Sequence, residues 1–240
     1  PQSLWVAVLL SLLVAPLCYL SPGGLPWLGI DALTVQKSGD YIRMVAFGLP
    51  AIGIFMALRY HTQGLGITSP FAVAAVIGFF ANIPLNYVLI FGFGDIPAMG
   101  AKGCGIATAI SMWLSALIIT VYVLNKDSLK PYMPPWMPVA PDLPAIKNIL
   151  VLGFPVGATM FLETAVFTGI ALLISSLGDV AIGAHQIAFN VWDMFYIPML
   201  AIGGAMATRM GHAIGAQDKA GVFRALKAGM IYSGAVSAVT

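Results

Sequence analysis

Charge is what this sequence lacks. Only 8% of its 240 residues are charged, against roughly a quarter in a soluble domain, and glutamate occurs once, at Glu163. With 60% hydrophobic residues the chain reads as an integral membrane protein. The net charge of +2 is too small for an electrostatic footprint on nucleic acid, so no such partner is expected. Cysteine is also scarce: Cys18 and Cys104 sit in apolar surroundings with no His or Cys at ligand spacing, which excludes a legible disulfide or metal site. Missing too are alternating segments of about ten residues, the pattern of a membrane barrel. Helix-length apolar runs stand in their place and predict an all-α fold, a polytopic transmembrane helical bundle. No charged n-region or cleavage pattern opens the chain, so insertion is expected to be directed by the helices themselves. It begins at Pro1 and stops at Thr240 within an apolar run, which reads as a piece of a longer chain.

The apolar runs predict spans over about Leu4–Leu20, Tyr41–Tyr60, Pro70–Gly92, Gly103–Leu124, Ile149–Leu177 and Val180–Gly204, with a seventh starting near Phe223. Ser21 to Gly24 is a turn cluster, and the loop after it carries Asp31, Lys37 and Asp40. Pro50 and Pro84 predict bends inside their spans. Residues 125–144 break the pattern with Lys126, Asp127, Lys130 and six prolines, Pro131, Pro134, Pro135, Pro138, Pro141 and Pro144. Such a segment reads as a stiff connector. It separates an N-terminal lobe, residues 1–124, from a second lobe that starts at residue 145 and runs to residue 240. Eight basic residues (Arg59, Lys126, Lys130, Lys147, Arg209, Lys219, Arg224 and Lys227) fall on the connector's side and three (Lys37, Arg43 and Lys102) on the other, which places the connector in the cytoplasm.

Glu163 falls near the middle of an apolar span. Insertion scales put a charge at that depth at roughly 2.5 to 3.5 kcal/mol, so it needs a polar cavity or a partner. Pro155, Thr159, Glu163 and Phe167 recur every fourth residue and form one helical stripe. The blander alternative is a protonated glutamate bonded to a neighbouring helix. In the next span Gln186, Asn190 and Asp193 follow i, i+4, i+7, with Tyr196 a turn beyond and His185 beside Gln186. His185 reads either as a proton carrier or as a structural hydrogen bonder. Asn82 and Asn86 lie one turn apart around Pro84, and Thr108, Ser111 and Ser115 share a face of the following span. Such side chains either join helices or line a site. Phe161, Phe167, Trp192 and Tyr196 offer ring faces to a cation, although membrane aromatics also simply pack. Arg209, Gly211, Gly215 and Asp218 read as a basic loop or interfacial helix.

Five motifs in order carry a family resemblance. They are Asn82-Ile-Pro-Leu-Asn86-Tyr with Phe91-Gly92, Gly103-Cys-Gly105-Ile-Ala-Thr108, Gly153-Phe-Pro155 followed by Glu163, Gly183-Ala-His185-Gln186 with Asn190, and Arg209-Met-Gly211 with Gly215 and Asp218. Together they resemble the multidrug and toxic compound extrusion family, in its NorM-like bacterial branch, over essentially the whole chain.

The resemblance implies helices three to nine of a two-lobed, twelve-helix transporter in a bacterial inner membrane. It implies an antiporter, not an enzyme, that exports organic cations and drugs by alternating access in exchange for Na⁺ or H⁺. No cofactor is implied beyond that coupling ion, and the partners would be drugs and membrane lipids. On this mapping Glu163 matches the carboxylate of the second lobe and a possible Na⁺ position, while Asn82, Asn86 and Thr108 match a cation site in the first. Asp193 departs from the family pattern, which has a small polar residue there. With Asn190, Phe167 and Tyr196 it completes the candidate cation and substrate site.

Three rival readings are testable. A lipid-intermediate flippase would favour a basic cavity, an intramembrane enzyme would need a nucleophile with its base or a metal cluster, and a non-transporting scaffold would not need the acids. The topology generates the first prediction: a cysteine at Ser128 reacts only with reagents that reach the cytoplasm, and labelling from outside intact cells would reverse the orientation.

Overall fold

The computed structural model describes residues 2–28, 32–127, 129 and 140–239. Asp31, Ser128, Lys130 and the connector prolines Pro131, Pro134, Pro135 and Pro138 lie outside them. Helices α1 (Gln2–Leu20), α2 (Ala32–Ala46), α3 (Leu49–Gly64), α4 (Ser69–Phe91), α5 (Ala101–Asn125), α6 (Leu143–Ser175), α7 (Asp179–Gly215) and α8 (Lys219–Val239) make up nearly all of the described chain, with a 3-10 turn over Ser21–Leu28. Five of these helices are long and apolar enough to cross a membrane, and α2 with α3 passes the same test only as a pair, bent by 49°. The protein is therefore a multi-pass membrane protein. The chain divides into two compact units, Pro1–Ile149 and Leu150–Thr240.

In the first unit α5 packs against α2, α3 and α4. Lipid offers helices no hydrophobic reward for meeting, so close contact depends on small residues that let backbones approach. α5 supplies them. A Cβ on Gly105 would lie 2.7 Å from the Tyr41 carbonyl oxygen of α2, and one on Gly103 would run into the Leu89 backbone of α4. Below these contacts Phe55, Leu58, Ala74, Ile119, Val123 and Leu129 form a buried core.

The second span differs from its expected form. Residues 41–60 do not form one helix: α2 starts at Ala32, so Lys37 and Asp40 lie on a helix and not in a loop, and the chain breaks at Phe47 and Gly48 with a 49° bend. Pro50 at the start of α3 has no N–H to give the carbonyl of Ala46, which is why the ladder stops there. At Pro84 the helix is not broken, and α4 runs through it from Ser69 to Phe91. α4 then ends at Gly92, whose φ of +82° is open to glycine, and an isolated bridge between Phe93 and Ile96 turns the chain into α5.

α6 begins at Leu143, so Pro144 belongs to its first turn, where a missing N–H costs nothing, and not to the connector. α7 continues eleven residues past the expected end at Gly204 to Gly215. Gly203 and Gly204 cost only about 1 kcal/mol each relative to alanine, and the good helix formers that follow offset them. Arg209 and Gly211 thus sit on α7. Gln217, at φ 56°, turns the chain, and Asp218 caps α8: its carboxylate accepts from the Gly221 N–H at 2.9 Å and from Arg224 at 3.0 Å. These donors, the Gly221 N–H foremost, hold the Asp218 carboxyl below the usual carboxylate range.

Two predictions follow from this packing. Gly103→Ala pushes α4 and α5 apart at a backbone contact and costs about 1 to 3 kcal/mol, the usual penalty for overpacking. Gly153→Ala, where a Cβ meets nothing within 4 Å, serves as the matched control, since it carries the same gain in helix propensity without the clash. Equal thermal unfolding of the two variants in detergent would refute the tight α4 to α5 contact. A depressed carboxyl stabilises the fold fully above its unfolded value of about 3.9 and loses that contribution as the pH falls through its lower folded value. The first turn of α8 should therefore loosen below about pH 4 in the wild type, read from the Gly221 and Arg224 NMR signals, and Asp218→Asn should remove that dependence.

Candidate functional site

The second unit holds the carboxylate. α6 has no buried residue, yet it meets α7 through one polar bond and one ring cluster. The Tyr196 hydroxyl donates to Glu163 Oε1 at 2.6 Å and ties α7 to α6. One turn from Glu163 on the same stripe, Phe167 packs edge-on to Phe189, with ring centroids 5.5 Å apart, and against Trp192 at 5.3 Å. Trp192 in turn stacks on Tyr196 at 4.3 Å with the planes 18° apart. His185 ends the row, 6.1 Å from Phe189.

A helix with its aromatic residues at spacings of four, three and four aligns them on one face. His185, Phe189, Trp192 and Tyr196 follow that spacing, and the ring row leads to the carboxylate. Ring faces are electron-rich and a carboxylate is anionic, so the arrangement suits a cation, above all one with a flat apolar body. Asp193 lies three residues before Tyr196 and brings a second acid to the same stretch of α7; it is half-buried, whereas Asn190 is exposed. Phe161 is 72% exposed and stands apart from the ring row. Thr159 turns its hydroxyl to the Pro155 carbonyl at 2.9 Å on its own helix. Phe189 is the member that the sequence reading missed. Its signal was the spacing of His185, Trp192 and Tyr196 around it, masked by attention to the polar stripe of Gln186, Asn190 and Asp193.

The first unit has a different polar track. Asn86 Nδ2 donates to Asn82 Oδ1 at 2.7 Å, Asn82 Nδ2 donates to Ser111 Oγ at 3.1 Å, and Ser111 Oγ donates to the Ala107 carbonyl at 2.9 Å. The chain ties α4 to α5. Thr108 instead donates to the Cys104 carbonyl of its own helix at 2.9 Å. Asn86 Oδ1 is buried and has no partner among the described residues. A buried acceptor left so costs about 1 to 3 kcal/mol, which an incoming donor or cation would relieve. Among the described residues no three His, Cys, Asp or Glu side chains cluster as a metal site would require.

Apolar spans, a kinked bundle, a lone intramembrane glutamate held by a tyrosine and a row of rings beside it define a polytopic helical membrane protein with a polar site inside its spans. The chain belongs to the MatE family, whose profile matches residues 1–88 and 155–240. It is similar to the multidrug resistance protein NorM of Photobacterium profundum, 34% identical over 237 residues that cover 98% of this chain and 52% of that protein. It is also similar to the multidrug resistance protein MdtK of Edwardsiella ictaluri, 33% identical over 215 residues, 89% of this chain and 47% of that protein. Among solved structures its fold is similar to that of the eukaryotic MATE transporter AtDTX14, with a TM-score of 0.85 at 19% identity over 98% of this chain and 51% of that one. The chain thus spans about half the length of the curated relatives that it matches.

Proposed function

We propose that this chain is part of a multidrug exporter of a bacterial inner membrane, a transporter and not an enzyme, that works by alternating access between two lobes and exchanges organic cations for Na⁺ or H⁺. The bond between Tyr196 and Glu163 beside stacked rings carries this reading, because it joins an anion and a cation-accepting aromatic surface inside apolar spans. The names of the relatives, multidrug resistance proteins, agree with it. On this reading a drug cation lies against Trp192, Phe167 and Tyr196 with its charge toward Glu163. The coupling ion competes for the same carboxylate. Such competition is a difference in affinity between two ligands, and a ligand shifts a conformational equilibrium only by such a difference. Asp193 and Asn190 extend the polar surface on α7, while Asn82, Asn86 and Thr108, with the free Asn86 oxygen, offer a second place for the coupling ion. The connector faces the cytoplasm, and no cofactor enters the cycle.

The decisive comparison is drug efflux from cells that express the full-length protein at matched levels. Glu163→Gln lowers efflux at least about tenfold, the consequence of losing about 1.4 kcal/mol of binding to a charged acceptor. Asp193→Asn retains a measurable part of it. Normal efflux by Glu163→Gln would remove the carboxylate from the mechanism and return it to helix joining.

A further inference from the structure

The break between α2 and α3 interrupts a helix pair that is together long and apolar enough to cross a membrane, and in hydrocarbon a carbonyl cut out of its helix has no water to turn to. At this break Phe47 and Gly48 close only tight turns, their N–H groups reaching the Met44 carbonyl at 3.2 Å and the Val45 carbonyl at 2.7 Å. The Phe47 carbonyl points out of the ladder and is met from another helix: Trp113 Nε1 donates to it at 3.0 Å. Trp113 lies twelve residues from either end of α5, the middle of a helix long and apolar enough to span a membrane, where an unpaired polar group is costly. The indole is 47% exposed, and so its N–H, too, would be stranded in hydrocarbon without Phe47. The two arms of the bend seat on α5 independently. α2 rests on Gly105 through Tyr41 and Met44, and Gly48 rests on Ala109 and Met112 at the head of α3.

We propose that the bend between α2 and α3 is an elbow latched by Trp113: the indole N–H fixes the angle between the two arms, and release of the Phe47 carbonyl frees α2 to tilt against α3. Glycine at 48 and the missing N–H of Pro50 leave the backbone there without the helical bonds that would otherwise resist bending. The latch supplies the resistance from outside the helix. Both polar groups lose when it opens, so the closed angle dominates until another contact compensates one of them.

The test measures the elbow directly in the full-length protein in lipid nanodiscs. Spin labels replace Leu33 on α2 and Tyr60 on α3, both exposed, in a background with Cys18 and Cys104 changed to serine. The latch predicts one narrow distance distribution with Trp113 in place and a broader or displaced one in Trp113→Phe, which keeps a ring and loses the donor. Benzothienylalanine at position 113 keeps the full bicyclic shape and loses only the N–H, and it decides the matter should Trp113→Phe fold poorly. A wild-type distribution with the benzothienyl residue overturns the proposal and assigns any effect of Trp113→Phe to packing. A broadened distribution with both substitutions supports it.

Discussion

A polar group in hydrocarbon must find its partner within the protein, and the structure is organised around that obligation. Ser11, Thr62, Thr108 and Thr120 meet it locally by donating to carbonyls three or four residues back on their own helices. Others meet it by crossing. Asn82 reaches Ser111, Ser115 reaches the Ala74 carbonyl at 3.3 Å, Trp113 reaches Phe47, and Tyr196 reaches Glu163. Each crossing bond fixes the rotation of two helices about their axes, something that apolar contact with lipid-like neighbours does poorly. Measured averages near 0.6 kcal/mol per bond make these contacts small in stability and large in specificity.

The two units meet the obligation in different ways. In the first, glycines and alanines bring backbones together, so short side chains suffice and the polar track is a relay of amides and hydroxyls. In the second, α6 and α7 stand farther apart, and long side chains bridge the distance with rings and one carboxylate. On the proposed reading the relay of neutral groups takes the small coupling ion and the rings around the acid take the large organic cation. The chemistry of each place thus follows from how closely the backbones approach.

Much of this was legible in the residues. Apolar length gave the spans of α1, α4 and α5 nearly to the residue, and the depth of Glu163 marked it as a group that needs a partner. The partner was not legible as such: Tyr196 stood in the expected site, but only the facing of α6 and α7 shows that its hydroxyl meets that carboxylate. Two features misled. Lys37 and Asp40 looked like loop residues because a helix with charges seems unfit for a membrane, yet α2 begins before them. Gly203 and Gly204 looked like an end because two glycines weaken a helix, yet the residues after them outweigh that cost. In both cases local preference yielded to the propagation of a helix already formed, which adds one hydrogen bond for each residue fixed.

The length of α7 has a mechanical consequence. Its 37 residues rise about 55 Å, against about 30 Å of hydrocarbon, so much of the helix stands outside the apolar layer or strongly tilted within it. Pro198 has no N–H for the Met194 carbonyl, so one backbone bond is missing just past Tyr196, between the ring-bearing stretch and the stretch that leads to the turn into α8. The second stretch, from Pro198 to Gly215, is about 25 Å long. A deflection of about five degrees at the proline would carry its tip about 2 Å. Any bend at Pro198 is thus magnified toward the turn into α8.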